Sequence, residues 1–418
     1  MDQVYREAAN ILRQLDTKQS SLRGLIFENR SERKGMLTKL CCGVCTHRGQ
    51  LEKMRKKAYK KTGNNFFVDD KELAIVLLYE FCHGKPNRSS HLLRINILKG
   101  AELFEKLKAK YASHVQVPEL PTVPKYVRIN SLITSAQEVH QYLKSAGWEM
   151  LPVPPSRKKA KELLRTMKGY QYCCDFHVED LLAFPHGSNL FAEGFNKDGY
   201  LVIQDKSTCL PVMALELVPG MTVLDACAAP GNKTSYMATV MKNEGHILAV
   251  EISEKRKQVL VDRLSSFGVT CCEVLCSDFL SLNPCDKKFQ NVTHVLLDPP
   301  CSGSGIVSRL GEITDTEQIS EERLLRLANL QAKMLKHACF FPNLQRCVYS
   351  TCSVYEQENE MVVDHVAKKL QGRVHLVRVL PEWKHRGHSS YECGDFCIRC
   401  SPKRDLTNGF FVAAFERN

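Results

Sequence analysis

The 418-residue sequence lacks any uninterrupted apolar run of about 18 residues, the length that a membrane-spanning helix requires. Its first residues also lack the apolar core of a secretory signal, because charged Arg6 and Glu7 follow within a few positions of the start. We therefore expect an intracellular protein. No internal repeat or low-complexity tract occurs, and 44% hydrophobic with 25% charged residues is typical of a folded globular chain.

The formal net charge of +12 is concentrated in the first third of the chain. Residues 1–150 hold 26 Lys and Arg but only 15 Asp and Glu, and the excess includes a basic run at Lys53, Arg55, Lys56, Lys57, Lys60 and Lys61. This asymmetry favours contact with a polyanion. A basic surface that only aids solubility is an equally good interpretation of charge alone.

The 19 cysteines are expected to be reduced thiols, since disulfides are rare in chains without a secretory signal. Most need be nothing more than small buried apolar residues. Two clusters contain side chains that can bind zinc: Cys41, Cys42, Cys45 and His47, and Cys393, Cys397 and Cys400. A structural zinc site needs four ligands, usually as two spaced pairs, and neither cluster supplies them alone. We predict no metal.

The first two of three predicted domains differ in their hydrophobic pattern. Residues 1–117 are expected to form a basic helical N-terminal domain, because apolar residues recur at spacings of three and four over 73–81 and 92–107. Prolines 118, 121 and 124 then interrupt any helix. Residues 118–198 are expected to form a small α/β RNA-contacting module, with a strand at 126–130 and a helix at 136–146.

Residues 199–418, the third predicted domain, alternate between apolar strands and helices. The predicted strands are 222–225, 246–250, 294–298, 347–350 and a closing strand at 409–415, and the predicted helices are 234–241, 254–267, 321–340 and 356–370. Alternation of this kind with buried strands predicts an α/β fold in which helices cover both faces of a parallel sheet.

A candidate nucleoside site follows the strand that ends at Asp225. Small residues and a Pro230-Gly231 turn precede the next helix, so a ligand can approach the backbone and the unpaired N–H groups of the helix. Neither a Walker loop nor a GxGxxG loop is present, so a phosphate is not the obvious ligand.

Three further acids lie at or just beyond strand ends. Glu251 ends the strand after the turn, where a carboxylate can bind both ribose hydroxyls, and Asp278 and Asp298 follow later strands. Acids lining such a crevice suit an adenosine that bears a cationic sulfonium better than one that bears a triphosphate. The simpler interpretation is that these are exposed surface acids.

Two cysteines also follow strand ends. One strand leads through Asp298 to Cys301, and another leads through Ser350 to Cys352. Ligands of doubly wound sheets bind beyond the carboxyl ends of the strands, so both thiols face one pocket if these strands are adjacent. Cys352 also lies near the start of a predicted helix, which favours its thiolate.

Cytosine methylation gives this pairing a chemical reason. C5 of cytosine is too electron-poor to attack a methyl donor, but a thiolate that adds to C6 makes C5 nucleophilic. A proton or hydrogen bond at N3 assists the addition, and Asp298 is the candidate for that role. A second thiol could assist the later elimination. From the residues alone, either cysteine could be the nucleophile.

Three segments resemble the core motifs of the Nop/Sun family of RNA cytosine-5 methyltransferases: DACAAPGNKT (225–234), DPPCSGSG (298–305), and YSTCS with the acidic stretch after it (349–360). Segments 124–130, 385–387 and 409–412 resemble the fifth-member branch, which acts on large-subunit ribosomal RNA. The resemblance covers roughly residues 120–418. It implies a Rossmann-like domain for S-adenosylmethionine, ribosomal RNA or a preribosomal particle as partner, and a location in the nucleolus of the nucleus.

The resemblance also implies residue roles. Cys352 would be the nucleophile and Cys301 would assist product release, and residues 1–117 would be an accessory RNA-binding domain. The residues implied to contact S-adenosylmethionine are Cys227, Ala228, Ala229, Pro230, Gly231, Asn232, Lys233, Glu251, Arg256, Asp278 and Asp298. Segment 385–387 is expected to form an RNA-facing loop. Two alternatives stay open, a DNA cytosine-5 methyltransferase that uses Cys301 and a catalytically silent RNA-binding assembly factor.

Overall fold

The computed structural model describes residues 2–17, 22, 25–26, 29, 33–62, 70–83, 90–96, 101–112, 122–188, 190, 199–306 and 320–418. Two compact units are present: Met1–Leu120 with Ser308–Gln318, and Pro121–Val307 with Ile319–Asn418. Within the described ranges, no helix is long and apolar enough to span a membrane.

The first unit is helical where it is described, as predicted. Its helices are α1 (Asp2–Thr17), α2 (Lys34–Thr62), α3 (Lys71–His83), α4 (His91–Asn96) and α5 (Ala101–Ala112). Helix α3 is buried on all sides, because every residue from 72 to 81 is buried, including Glu72 and Glu80, which is typical of a central helix. The basic run lies on α2, where Lys53, Lys56 and Lys60 are exposed at spacings that place them on one face.

The second unit begins with a small α/β module. It comprises β1 (Lys125–Ile129), α6 (Ala136–Ser145), β2 (Glu149–Met150), α7 (Arg157–Thr166), β3 (Gln171–Cys174), β4 (Leu181–Phe184) and β5 (Leu201–Ile203). The strand order is β2-β3-β4-β1-β5, with β1 antiparallel to both β4 and β5. Helix α6 begins with a capping box between Ser135 and Glu138.

The rest of this unit is the predicted Rossmann-like sheet and its helices. The elements are α8 (Lys206–Ala214), β6 (Thr222–Asp225), α9 (Asn232–Val240), β7 (His246–Glu251), α10 (Glu254–Ser266), β8 (Cys272–Cys276), β9 (His294–Leu297), α11 (Glu321–Ala338), β10 (Arg346–Thr351), α12 (Glu360–Lys369), β11 (Val374–Val377), β12 (Ile398–Cys400), α13 (Pro402–Asp405) and β13 (Phe410–Arg417). The sheet order is β11-β13-β10-β9-β6-β7-β8.

The prediction of a fully parallel sheet was wrong at one side. Strands β10, β9, β6, β7 and β8 are parallel to their neighbours, but β13 lies antiparallel between β10 and β11, and β12 also pairs antiparallel with β13. Residues 410–415 of β13 are all buried, so this strand is stable only with a neighbour on each side and a covering on each face.

The helix predicted at 356–370 begins four residues later than expected. A short 3₁₀ turn occupies Glu356–Glu358, and Asn359 breaks the helical path with φ −115° and ψ −100°. Its side chain accepts a hydrogen bond from Thr351 Oγ1 at 2.5 Å and donates to the Ser353 carbonyl at 2.9 Å. These bonds hold Asn359 against the end of β10 instead of in a helical turn.

A buried arginine joins the small module to the Rossmann-like sheet. Arg128 of β1 is fully buried and donates to Gln204 Oε1 at 3.0 Å, Ser235 Oγ at 3.0 Å and Thr239 Oγ1 at 3.1 Å. Tyr126 of the same strand donates to the Leu406 carbonyl at 2.9 Å. The module is therefore fixed to α9, the helix that follows the candidate nucleoside loop.

Candidate active site

The candidate nucleoside loop lies across the carboxyl ends of three neighbouring strands. Ala226 N donates to the carbonyl of Leu296 in β9, and Ala228 N donates to the carbonyl of Val250 in β7, each at 2.9 Å. Gly231 has φ 98°, a left-handed conformation that strains any other residue, and a Cβ there would lie 2.8 Å from Leu260 Cδ1. Because glycine has no side chain, α9 begins without a side-chain cap on its first N–H groups.

Glu251 and Arg256 are hydrogen-bonded to each other, and Arg256 is hydrogen-bonded to this loop. Glu251 ends β7 with only 2% of its surface exposed, and its Oε1 accepts hydrogen bonds from Ser253 N at 3.0 Å and Arg256 Nη1 at 3.3 Å. Arg256 Nη2 also donates to the Ala229 carbonyl at 2.7 Å. Arg256 therefore orients both the acid and the loop.

The strand-end acids have different environments. Asp225 is buried, and burial raises its pKa to about 6 although Thr234 Oγ1 donates to its carboxylate at 2.7 Å. Asp278 is exposed and caps a 3₁₀ turn by accepting from Leu280 N at 2.9 Å. The structure thus places Glu251 beside the loop and Asp278 at the exposed end of β8.

The two candidate cysteines lie side by side. Strands β9 and β10 are parallel neighbours, so the segments that follow them lie at the same edge of the sheet. Cys301 Sγ and Cys352 Sγ are 3.1 Å apart, and both residues are half-buried. The hydrogen bond to Cys352, together with burial, raises the pKa of the Cys301 thiol well above its usual value. Either sulfur can be the donor of the hydrogen bond between them.

Two glycines hold these segments together. Gly305 N donates to the Cys352 carbonyl at 2.9 Å, and Gly409 N donates to the Gly305 carbonyl at 2.7 Å. A Cβ on Gly305 would lie 2.1 Å from the Gly409 carbonyl oxygen, so the backbones approach too closely for any side chain. The segment 409–412 thus positions Cys352 from the start of β13.

Lys233 points toward the cysteine pair. Its Nζ lies 2.5 Å from Asp298 Oδ2, and Ser350 Oγ donates to Asp298 Oδ1 at 2.8 Å. Burial alone would lower the pKa of Lys233, but the Asp298 carboxylate and the Cys352 sulfur outweigh it and raise that pKa. A cation is thereby held beside Asp298 and the thiol of Cys352.

Glu358 is a site residue that the sequence interpretation missed. It is fully buried, and its carboxylate accepts hydrogen bonds from Ser302 N at 2.9 Å, Ser302 Oγ at 2.5 Å and Gln331 Nε2 at 3.0 Å. These bonds fix the segment that carries Cys301. The signal in the sequence was the acidic stretch after Cys352, but a run of acids does not reveal which member is buried.

The segment 385–387 does not present its cationic side chain to solvent as an RNA-facing loop would. Arg386 donates to the carbonyls of Val379 at 2.9 Å and Leu380 at 2.7 Å, and His385 Nδ1 lies 2.9 Å from Asp405 Oδ2. These contacts use the side chains inside the fold. Across the described ranges, no group of three or more His, Cys, Asp and Glu side chains is arranged to hold a metal.

Comparison with known proteins gives two family matches. Residues 212–416 match the family described as 16S rRNA methyltransferase RsmB/F, and residues 123–204 match the ferredoxin-like domain of NOL1/NOP2/Sun domain family member 5. The two matches cover most of the second unit.

Three curated relatives are similar over nearly their whole length. The 26S rRNA (cytosine-C(5))-methyltransferase nsun-5 of Caenorhabditis elegans is 38% identical, with 100% of this chain and 98% of the relative covered. The 28S rRNA (cytosine-C(5))-methyltransferase of Mus musculus is 36% identical, with coverage of 99% and 91%. The 25S rRNA (cytosine-C(5))-methyltransferase rcm1 of Schizosaccharomyces pombe is 34% identical, with coverage of 98% and 90%.

Solved structures share the fold at lower identity. A methyltransferase homolog protein from Pyrococcus horikoshii superimposes with a TM-score of 0.54 at 22% identity, covering 88% of this chain and 99% of that one. NSun6 from the same organism, solved with SFG, gives a TM-score of 0.53 at 19% identity, covering 76% and 97%.

Proposed function

The chain belongs to the Nop/Sun family of RNA (cytosine-5) methyltransferases, in its fifth-member branch, and we propose that it methylates C5 of a cytosine in large-subunit ribosomal RNA. The observation that carries this proposal is the pair of thiols, Cys301 and Cys352, held 3.1 Å apart beside the Lys233–Asp298 ion pair.

The loop after β6 fits S-adenosylmethionine, which supplies the methyl group as an electrophile when bound. The fit rests on three features of this chain: the uncapped start of α9, the Gly231 position whose positive φ strains any other residue, and the buried carboxylate of Glu251. Glu251 would bind the ribose hydroxyls, and residues 227–233 would lie against the nucleoside. Asp278 and Arg256 are the remaining proposed cofactor-binding residues. Asp278 would act from the exposed end of β8, and Arg256 would act by orienting Glu251.

Cys352 begins the reaction in this proposal. Its thiolate forms a bond to C6 of the cytosine while the C5–C6 π bond breaks and N3 takes up a proton. The Lys233–Asp298 pair supplies that proton, because the Lys233 ammonium already donates to Asp298. The Lys233 charge also stabilises the Cys352 thiolate before the attack.

Cys301 acts after C5 has been methylated. Its thiol passes a proton to the Cys352 sulfur as the C6–S bond breaks, and the resulting Cys301 thiolate removes the proton from C5. The electron pair of the broken C5–H bond forms the C5–C6 double bond as the C6–S bond breaks, and N3 returns its proton to the Lys233–Asp298 pair. Cys301 ends as a thiol again, and Cys352, which began as a thiolate, ends as a thiol that carries the proton displaced by the methyl group. The raised pKa of Cys301 favours the thiol before the reaction and makes its thiolate a stronger base for the C5 proton.

The target cytosine must leave its base stack, because attack on C6 comes from above the ring. We propose that the small module, which runs through β5, and the basic residues 1–117 hold the surrounding RNA, and that the Rossmann-like part of the second unit carries the chemistry. We propose that the protein acts on ribosomal RNA or a preribosomal particle in the nucleolus of the nucleus.

The test is bisulfite sequencing of total RNA from cells with and without this protein. We expect one protected cytosine in large-subunit ribosomal RNA to lose its protection, and re-expression of wild type to restore it. Cys352→Ser should not restore it, whereas Cys285→Ser, which changes an exposed cysteine outside the site, should. Restoration by Cys352→Ser but not by Cys301→Ser would overturn the assigned roles, and an unchanged ribosomal RNA would overturn the substrate.

A further inference from the structure

A cleft separate from the cysteine pair lies between α7 of the small module and the Rossmann-like part of the same unit. We call it the α7 cleft. One side is formed by Arg157, Lys161 and Leu164 of α7, and the other sides by Asp175, Phe176 and His177 after β3 and by Lys206, Trp383 and Asp405.

The acids of the α7 cleft lie at its base and are already paired. Lys206 Nζ is 2.7 Å from Asp175 Oδ2, and Arg157 Nη2 is 3.0 Å from Asp405 Oδ1. The two carboxylates are 1% and 0% exposed, so they face their cationic partners and not solvent. Burial and the charge of Lys206 lower the pKa of His177 to about 4, so its neutral ring accepts a hydrogen bond from Lys206 Nζ at 2.9 Å.

The outer edge of the cleft is positive. Lys158, Lys161 and Arg165 lie at spacings of three and four along α7, which places them on one face of the helix. No described carboxylate forms an ion pair with Lys161, and burial together with the positive charge of Arg157 lowers its pKa. Lys161 therefore lies among other cations, and the acids at the base of the cleft are already paired. This environment favours an anionic ligand.

An exposed aromatic ring lies at the same cleft. Phe176 is 42% exposed, so a large part of it is open to solvent, and its ring forms a T-shaped pair with His177 at a centroid distance of 5.0 Å. Beneath it, Trp383 is 1% exposed and supports Arg157 and Lys206, whose charged groups lie 5.4 and 5.6 Å from its ring centre. A rigid base, an exposed aromatic face and unpaired positive charge are the features of a nucleotide subsite on single-stranded nucleic acid.

Hydrogen bonds connect this cleft to the catalytic segments. Lys206 follows Asp205, whose carboxylate accepts from Asn408 N at 3.3 Å. Gly409, the next residue, bonds to Gly305, and Gly305 bonds to Cys352. The α7 cleft is therefore fixed relative to Cys352 by a short series of hydrogen bonds within one unit.

We propose that the α7 cleft binds a nucleotide of the substrate RNA that flanks the target cytosine, with the phosphate on Lys161 and Lys158 and the base on Phe176. The inference rests on the proposed function, since it assumes an RNA substrate. The cleft positions RNA and takes no part in methyl transfer.

The test uses the full-length protein and a fluorescein-labelled 20-nucleotide single-stranded RNA of mixed sequence, with binding followed by anisotropy at several salt concentrations. Lys158→Ala/Lys161→Ala should weaken binding about tenfold and reduce the slope of log affinity against log salt by about 0.7, as expected for one phosphate that is no longer neutralised. Phe176→Ala should weaken binding at least fivefold with an unchanged salt slope, and Phe176→Tyr should retain affinity.

The matched control is Lys336→Ala/Lys369→Ala, which removes two exposed cations near the ends of α11 and α12, at the opposite edge of the sheet. Calorimetric titration with sinefungin confirms that each variant keeps its folded cofactor site. A salt slope and affinity equal to those of the control would overturn the α7 cleft proposal. Methyl transfer to unmodified large-subunit ribosomal RNA is measured separately, so failure of wild type in that assay would overturn the proposed function while the binding result still decides the cleft.

Discussion

Ser302 and Glu358 are joined by two hydrogen bonds although they lie 56 positions apart, and these bonds fix the segment that carries Cys301. The carboxylate is the shared acceptor for the backbone N and the Oγ of Ser302, and Gln331 Nε2 donates to it as well. The distance between the two thiols therefore depends on a residue that touches neither sulfur.

Replacement of this carboxylate should slow the reaction without weakening RNA binding. Glu358→Ala should lower kcat about 100-fold with little change in KM, because a shift of the Cys301 segment by about 1 Å misplaces the reacting group. Glu358→Gln keeps one acceptor oxygen, so its kcat should fall only about tenfold. Steady-state kinetics on unmodified ribosomal RNA measures both values. A larger effect on KM than on kcat would indicate a binding role instead.

Removal of the second thiol should trap the RNA on the enzyme. In Cys301→Ala the Cys352–C6 bond forms, but no thiol remains to protonate the leaving sulfur and accept the C5 proton, so a covalent complex should accumulate. Denaturing gel electrophoresis with labelled RNA detects it. Cys352→Ser and the double variant should give no such band, and a band from Cys352→Ser would assign the nucleophile to Cys301.

Arg128 should contribute to stability through three hydrogen bonds and the volume of its side chain. Its burial lowers its pKa to about 10, and no described carboxylate forms an ion pair with it. Arg128→Ala should lower the free energy of unfolding by about 3 kcal/mol. Arg128→Met fills the same space without a buried charge, so it should lower the free energy of unfolding by less than half of that amount. Urea unfolding of both variants measures the difference, and equal losses would show that the charge itself is required.

The buried carboxyl of Asp225 should make stability fall as the pH rises. Its pKa is raised to about 6 in the folded chain, above the ordinary value of 3.8, so the folded state binds the proton more tightly than the unfolded state. The stabilisation is present below about pH 4 and is lost as the pH rises through 6. Asp225→Asn removes this dependence, and its stability relative to wild type should rise by about 2 kcal/mol from pH 4.5 to pH 8. Urea unfolding at the two pH values tests this, and a constant difference would contradict it.

The sequence predicted best those features that depend on local pattern. The strand ends at Asp225 and Glu251 and the segments of Cys301 and Cys352 follow from apolar runs, small residues and turns, because each is encoded within a few positions. Periodicity reports that a strand is buried but not which strand it pairs with, so the antiparallel place of β13 was missed.

Contacts between distant segments could not be predicted either, because hydrophobic periodicity does not report which segments pack together. Lys233 was assigned to the nucleoside loop by its position, yet its side chain extends to Asp298, 65 positions away. Arg386 belongs to a polar segment typical of an exposed loop, but it donates to carbonyls inside the fold. A basic run such as that at Lys158 and Lys161 shows charge but not the acids and aromatic ring that the fold brings beneath it.

The position of β13 has a consequence for synthesis of the chain. Strand β13 separates β10 from β11, and Gly409 holds Gly305, which in turn holds Cys352. While a ribosome is still translating residues 410–417, β10 has an open edge and the Cys352 segment lacks its support. We therefore expect the Cys352 segment to take up its final geometry only after β13 has left the exit tunnel and paired with β10.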